Sequence, residues 1–166
     1  NEKKALINSF IYANFNYCPL VWHFCSKTNM EKIESIQKRA LRFLYHDYTS
    51  NYEKLLKNSK ICTMEIRRLR TMALEIFKTL NNMNPYFMKE LFQLRGNTYR
   101  RPIDLKVPVR NSVKFGDKSL RCLGPTIWNL LPNNIRLTSS ITQFKTFLNT
   151  WFGPECRCSL CCSMNS

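Results

Sequence analysis

The sequence predicts a mainly α protein, a helical bundle followed by a small extended or β segment and two further helices. Three observations carry that reading. Apolar residues recur at helical spacing through the first 94 positions. From Arg95 to Lys114 that periodicity stops, and Pro102 and Pro108 restrict any strand there to a short or edge position. An apolar fraction of 44% with 13% aromatic residues belongs to a chain that packs a core. At 166 residues the chain can form one domain, or one domain with a tail. The expected divisions are a helical region over 1–94, a basic extended segment with C-terminal helices over 95–152, and a Cys-rich flexible tail over 153–166.

Each element follows from local chemistry. Leu6, Ile7, Phe10, Ile11 and Phe15 predict a helix over 2–15, stopped by Cys18-Pro19 because the residue before a proline is pushed out of the helical region. Leu20 to Phe24 is expected to form a short aromatic turn or helix. Thr28 with Glu31 reads as a capping box for a helix to about His46, with Met30, Ile33, Ile36, Ala40, Leu41 and Leu44 on one face. Ser50 with Glu53 repeats the signal for a helix to about Asn58. The strongest pattern runs from Thr63 to Asn82, where Ile66, Leu69, Ala73, Ile76, Phe77 and Leu80 share one arc and Arg67, Arg70 and Lys78 lie opposite. Asn84-Pro85 opens a helix to about Leu94. Arg95-Gly96-Asn97 breaks it, and Asp104 to Val109 and Ser112 to Phe115 are expected as short strands or arms. Helices over 124–131, opened by Gly124-Pro125 and closed before Pro132, and over 140–152 complete the fold.

Charge sets the class of partner. The chain carries 26 Lys and Arg against 11 Asp and Glu. Such an excess attracts polyanions, nucleic acid foremost, although a basic surface can also be merely solvated. No apolar run is long enough to cross a membrane as a helix, and the start of the chain lacks the pattern of a signal peptide. The chain does not begin with Met, and a fragment or processed product is expected. Of 8 cysteines, Cys18, Cys25, Cys62 and Cys122 lie in apolar-periodic segments and read as small hydrophobes, which with no secretory signal favours a reducing compartment.

No catalytic constellation emerges. Two-metal chemistry needs paired carboxylates, whereas Asp47, Asp104 and Asp117 are isolated in cap or turn contexts. Among 4 glycines there is no phosphate-binding loop. The aromatics Phe10, Tyr12, Phe15, Tyr17, Trp22, Phe24 and Trp128 read as core, not as base-stacking platforms. The chain is expected not to be an enzyme.

Five blocks occur in a distinctive order: Leu6 to Trp22; Ile33-Glu34-Ser35-Ile36-Gln37-Lys38-Arg39-Ala40-Leu41-Arg42-Phe43-Leu44; Arg68-Leu69-Arg70; Glu75-Ile76-Phe77-Lys78; and Leu123-Gly124-Pro125-Thr126-Ile127-Trp128-Asn129-Leu130-Leu131-Pro132-Asn133-Asn134-Ile135-Arg136. Together they resemble the C-terminal thumb and tail of reverse transcriptases from non-long-terminal-repeat (LINE-type) retrotransposons, of the jockey-like and chicken-repeat-like kind. The resemblance implies a thumb-like bundle whose catalytic Asp pair would lie upstream, so polymerase activity does not carry over. It also implies partners in RNA, RNA–DNA or DNA duplex and an upstream palm, and a location in cytoplasm and nucleus.

A thumb grips a duplex through its backbone, which calls for cations on an exposed helix face. Lys38, Arg39 and Arg42, and Arg67, Arg68 and Arg70, fit that role in sequence, with the second trio preferred because Lys38 can pair with Glu34. Arg100, Arg101, Lys106 and Arg110 belong to a segment that reads either as an RNA-tracking arm or as a solvated loop. Cys156, Cys158, Cys161 and Cys162 could bind zinc, but thiols this close together chelate poorly, and a reactive tail is the competing reading. Two other classes stay open: a helical protein-interaction module, and a domesticated nucleic-acid-binding remnant with a zinc-binding tail.

Overall fold

The computed structural model describes residues 2–17, 25–96, 103–109 and 119–151, and these are mainly α as the periodicity predicted. The segment 18–24, the expected strand at Ser112 to Phe115, Arg100, Arg101, Arg110 and the Cys-rich tail lie outside the described residues. The chain divides into two compact units, Asn1–Arg68 and Leu69–Ser166. The division falls inside a helix, not at the compositional change after Leu94. Periodicity marks a helix but not which partners each of its ends packs against.

The first unit opens with α1 (Glu2–Ile7), a π-helical turn (Asn8–Tyr12) and α2 (Ala13–Asn16). Tyr17 turns extended, at φ −76° and ψ 124°, just ahead of Cys18-Pro19. The next helix, α3 (Lys27–Tyr45), begins two residues earlier than its expected capping box. Its N-cap is Ser26, whose Oγ accepts from the Asn29 N–H at 3.4 Å, so Thr28 already lies within the first turn. His46 ends it in the left-handed region at φ 51°. The cap expected at Ser50 is also displaced. Asp47 Oδ1 accepts from the N–H groups of Thr49 at 3.2 Å and Ser50 at 2.9 Å, making a turn of that stretch. Asn51 then starts α4 (Tyr52–Ser59) without a side-chain cap.

The long helix α5 (Met64–Leu80) starts where predicted, with Thr63 Oγ1 accepting from the Ile66 N–H at 3.2 Å. Its buried stripe is Met64, Arg68, Met72 and Ile76, joined by Ala73 and Phe77. Positions four apart lie on one helical face, and here that face includes an arginine. Ile66 and Leu69, expected in the core, are half-buried. Ile7, Tyr12, Ala40 and Met64 form the first unit's core, with Ile11, Phe15, Ile33, Leu44 and Ile61 packed against it. Glu34 accepts from Tyr52 Oη at 2.6 Å and from the Glu65 N–H at 2.9 Å, tying α3 to α4 and to the start of α5.

In the second unit Phe77 stacks on Phe144 at 4.2 Å between centroids, and Trp128 lies 6.1 Å from the same ring. These aromatics, with Ile76, Leu105, Ile127 and Leu148, are buried, so Trp128 is the core anchor it was expected to be. The helix opened by Asn84-Pro85 is a single turn, α6 (Tyr86–Lys89). It does not reach Leu94, because Leu94 forms an antiparallel bridge with Leu105. Around that bridge the Arg95 N–H donates to the Asp104 carbonyl at 2.8 Å and the Lys106 N–H to the Gln93 carbonyl at 2.7 Å. The expected strand is thus an extended segment with one bridge. The next helix, α7 (Leu120–Asn129), starts before Gly124-Pro125 rather than at it, with Ser119 as N-cap. Gly124 is needed for close approach, since a Cβ there would stand 3.0 Å from Phe92 Cε1 and 3.3 Å from Ile76 Cδ1. A short α8 (Asn133–Arg136) and α9 (Ile141–Thr150), capped by Ser140, follow.

Candidate functional site

The end of α7 and α8 form a clamp on the extended segment. Trp128 Nε1 donates to the Ile103 carbonyl at 2.9 Å. Asn129 makes a two-point contact with Leu105, its Oδ1 accepting the backbone N–H at 2.8 Å and its Nδ2 donating to the carbonyl at 2.9 Å. Arg136 Nη1 donates to Asp104 Oδ1 at 2.6 Å in an ion pair whose side chains are 4% and 2% exposed. Arg136 Nη2 also donates to Asn133 Oδ1. Three consecutive residues, 103–105, are therefore held by a Trp, an Asn and an Arg spaced over two short helices. This accounts for the Trp128-Asn129 and Asn133 to Arg136 portions of the motif: they position a strand, and Arg136 and Asp104 neutralise one another in the core. Such a buried pair needs further hydrogen bonds to offset the desolvation of both charges.

The expected cations are distributed unequally. On α3, Arg39 is exposed while Lys38 and Arg42 are half-buried. At 100° per residue these three fall within an arc of about 100° opposite the buried Gln37, Ala40 and Leu41. Exposed Lys32 extends the same side; six residues before Lys38, it stands apart from the local run of cations that the sequence displays. Among acids on α3, Glu31 is exposed within the same arc, between the directions of Lys38 and Arg42, and Glu34 is occupied by Tyr52 and the Glu65 amide. Lys106 is exposed immediately after the clamped residues.

The preferred trio on α5 does not form an exposed face: Arg68 is buried, and Arg67 and Arg70 are half-buried. Arg68 is 2% exposed, lies on the buried stripe and donates to Met30 Sδ at 2.9 Å. Burial lowers its pKa from the ordinary guanidinium value. Arg67 lies over the Tyr12 ring at 4.4 Å, a cation–π contact. Burial pushes the Tyr12 phenol up, with the Arg67 charge opposing. Arg70 Nε donates to the Trp151 carbonyl at 2.8 Å. Long apolar stems let arginines occupy a core stripe, so charge in a sequence does not by itself mark the solvent face.

Asp104 is consumed by Arg136 and Asp47 by its own turn, so the two described aspartates are structural. Among the described residues no cluster of three His, Cys, Asp or Glu is placed to hold a metal, while Cys156, Cys158, Cys161 and Cys162 lie outside them. No described helix is long and apolar enough to cross a membrane. In comparisons with protein families, curated proteins and solved structures, the chain matches none.

Proposed function

We propose that this chain is a non-catalytic C-terminal part of a reverse-transcriptase-type polymerase that binds RNA or RNA–DNA duplex through backbone phosphates. The observation that carries the reading is the cationic side of α3, with Lys38, Arg39 and Arg42 opposite its buried stripe, in a chain of net charge +15. Phosphates of a duplex backbone need cations on a regular, solvent-facing rod and no base-specific geometry. The clamp supports the same reading by fixing the start of the segment that continues through exposed Lys106. Of the α5 arginines, Arg68 is buried, while Arg67 and Arg70 are half-buried like Lys38 and Arg42 and already engage Tyr12 and the Trp151 carbonyl.

The test is binding of the purified chain to an RNA–DNA hybrid over a salt series, with an unrelated polyanion as competitor. Lys38, Arg39 and Arg42 changed together to Gln should weaken binding and flatten the log–log salt slope by roughly two to three, at about 0.9 per phosphate contact on duplex DNA. An unchanged slope would remove α3 from the interface. Equal competition by the unrelated polyanion would reduce the reading to a passive basic surface.

A further inference from the structure

We propose that the first unit carries a docking groove for an acidic amphipathic helix of another protein. The groove is apolar, shallow and open to solvent, with a volume of about 300 Å³, and is lined by Leu6, Ile7, Phe10, Ile11, Ala40 and Phe43. Leu6 and Phe10 sit four apart on the N-terminal helical stretch, and Ala40 and Phe43 three apart on α3. Each helix therefore offers a ridge and the space between them forms a channel. Leu6, Phe10 and Phe43 are 51%, 71% and 47% exposed. Single exposed apolar residues are ordinary, but several converging on one groove mark an interaction surface. Phe10 lies in the π-helical turn while Tyr12, two residues on, is buried. Single π turns of this kind recur where a helix serves function more than packing.

Charge at the rim selects the occupant. Lys3 Nζ lies 5.1 Å from the centre of the Phe43 ring and hydrogen-bonds to His46. Lys4 is exposed beside it. Exposed Arg39 precedes Phe43, which lines the groove, by four residues, which places it on an adjoining strip of the helix surface. Glu2, four residues before Leu6, is the acid at that end. A second copy of this chain would bring another +15 to the contact. Nucleic acid would gain nothing from an apolar channel without hydrogen-bond donors. A helix with apolar residues at i, i+4 and i+7 and carboxylates on its flanks matches both the groove and the rim.

The probe is a fluorescent synthetic helical peptide of about 15 residues, with Leu at i, i+4, i+7 and i+11 and Glu elsewhere on its flanks. A second peptide keeps the Leu positions and replaces each Glu by Lys. Anisotropy titration of the whole chain should show the acidic peptide binding about tenfold or more tighter than the basic one. Phe10→Ser should weaken it by about tenfold with the helical circular dichroism unchanged; Leu6→Ser, also at an exposed position, is the second variant. Arg39→Glu should shift preference towards the basic peptide. Equal binding of both peptides would overturn the proposal. So would acidic-peptide binding that is indifferent to both Phe10→Ser and Leu6→Ser. Sedimentation showing a Phe10-dependent dimer with no peptide binding would overturn it too, by assigning the groove to a second copy.

Discussion

Replacing Asn129 by Leu preserves approximate side-chain size but removes both of its contacts to Leu105, at 2.8 and 2.9 Å. Leu105 is fully buried, so water cannot restore the lost partners without opening the segment. An unsatisfied buried backbone group costs about 1–3 kcal/mol, and two give about 2–5 kcal/mol when the segment relaxes only in part. At about 2–4 °C per kcal/mol for a chain of this size, the midpoint should fall by roughly 4–20 °C. Asn129→Asp makes a sharper test. It keeps an acceptor for the Leu105 N–H but sets a carboxylate oxygen against the Leu105 carbonyl. The folded state then favours the protonated acid and raises its pKa above the unfolded value. The fold's advantage is complete below the unfolded pKa and disappears as pH rises through the folded one. The melting gap between Asn129→Asp and Asn129→Leu should therefore shift in favour of Asp as pH falls, while the Leu variant follows the parent. Thermal melts across pH, with hydrogen exchange at the Leu105 amide, would measure this. Parent-like melting and undiminished protection at Leu105 would refute the clamp.

Two further outcomes follow from local geometry. Gly124→Ala should cost about 1–3 kcal/mol by overpacking, because its Cβ would meet Phe92 Cε1 at 3.0 Å; Phe92→Leu should recover part of that loss in the double variant's melt. Hydrogen bonds from Ser50 and then Thr49 hold the Asp47 carboxyl at about 2 against an ordinary 3.8. A depressed pKa stabilises the turn above the unfolded value and loses that contribution as pH falls through the folded one. The amide resonances of Thr49 and Ser50 should therefore move between about pH 4 and pH 2, whereas in Asp47→Asn they should not titrate there.

Helices were legible in the sequence because amphipathic spacing is local. α5 begins beside Thr63 as its pattern implied, and the first helical stretch ends before Cys18-Pro19. The caps were less legible, since Ser26 and Thr28 are both competent and only the backbone geometry selects Ser26. Gly124-Pro125 resembled a helix start, yet its position inside α7 follows from the packing of Gly124 on Phe92 and Ile76, residues far away in sequence. Arg68 was misplaced for the same reason. A helix plot that treats arginine as polar assigns it outward, whereas the run Met64, Arg68, Met72, Ile76 turns it inward with its guanidinium on Met30. Trp128, Asn129 and Arg136 stood out as a motif, but the target at 103–105 was invisible until the chain was folded. The apolar groove joins Leu6 and Phe10 to Phe43 across more than thirty positions, so no window of sequence could display it.

The two-point grip of Asn129 has a consequence for the solution behaviour of the protein. An extended segment with one neighbour ordinarily leaves a row of open amide and carbonyl groups on its far side, a template on which another chain can add a strand. Here Leu105 faces the bridge to Leu94 on one side and the carboxamide of Asn129 on the other. The side chain takes the place of a neighbouring strand and occupies both backbone groups of the fully buried Leu105. With Val107 and Val109 exposed just beyond, a strand added by another chain would have to start past residue 105 and not at it.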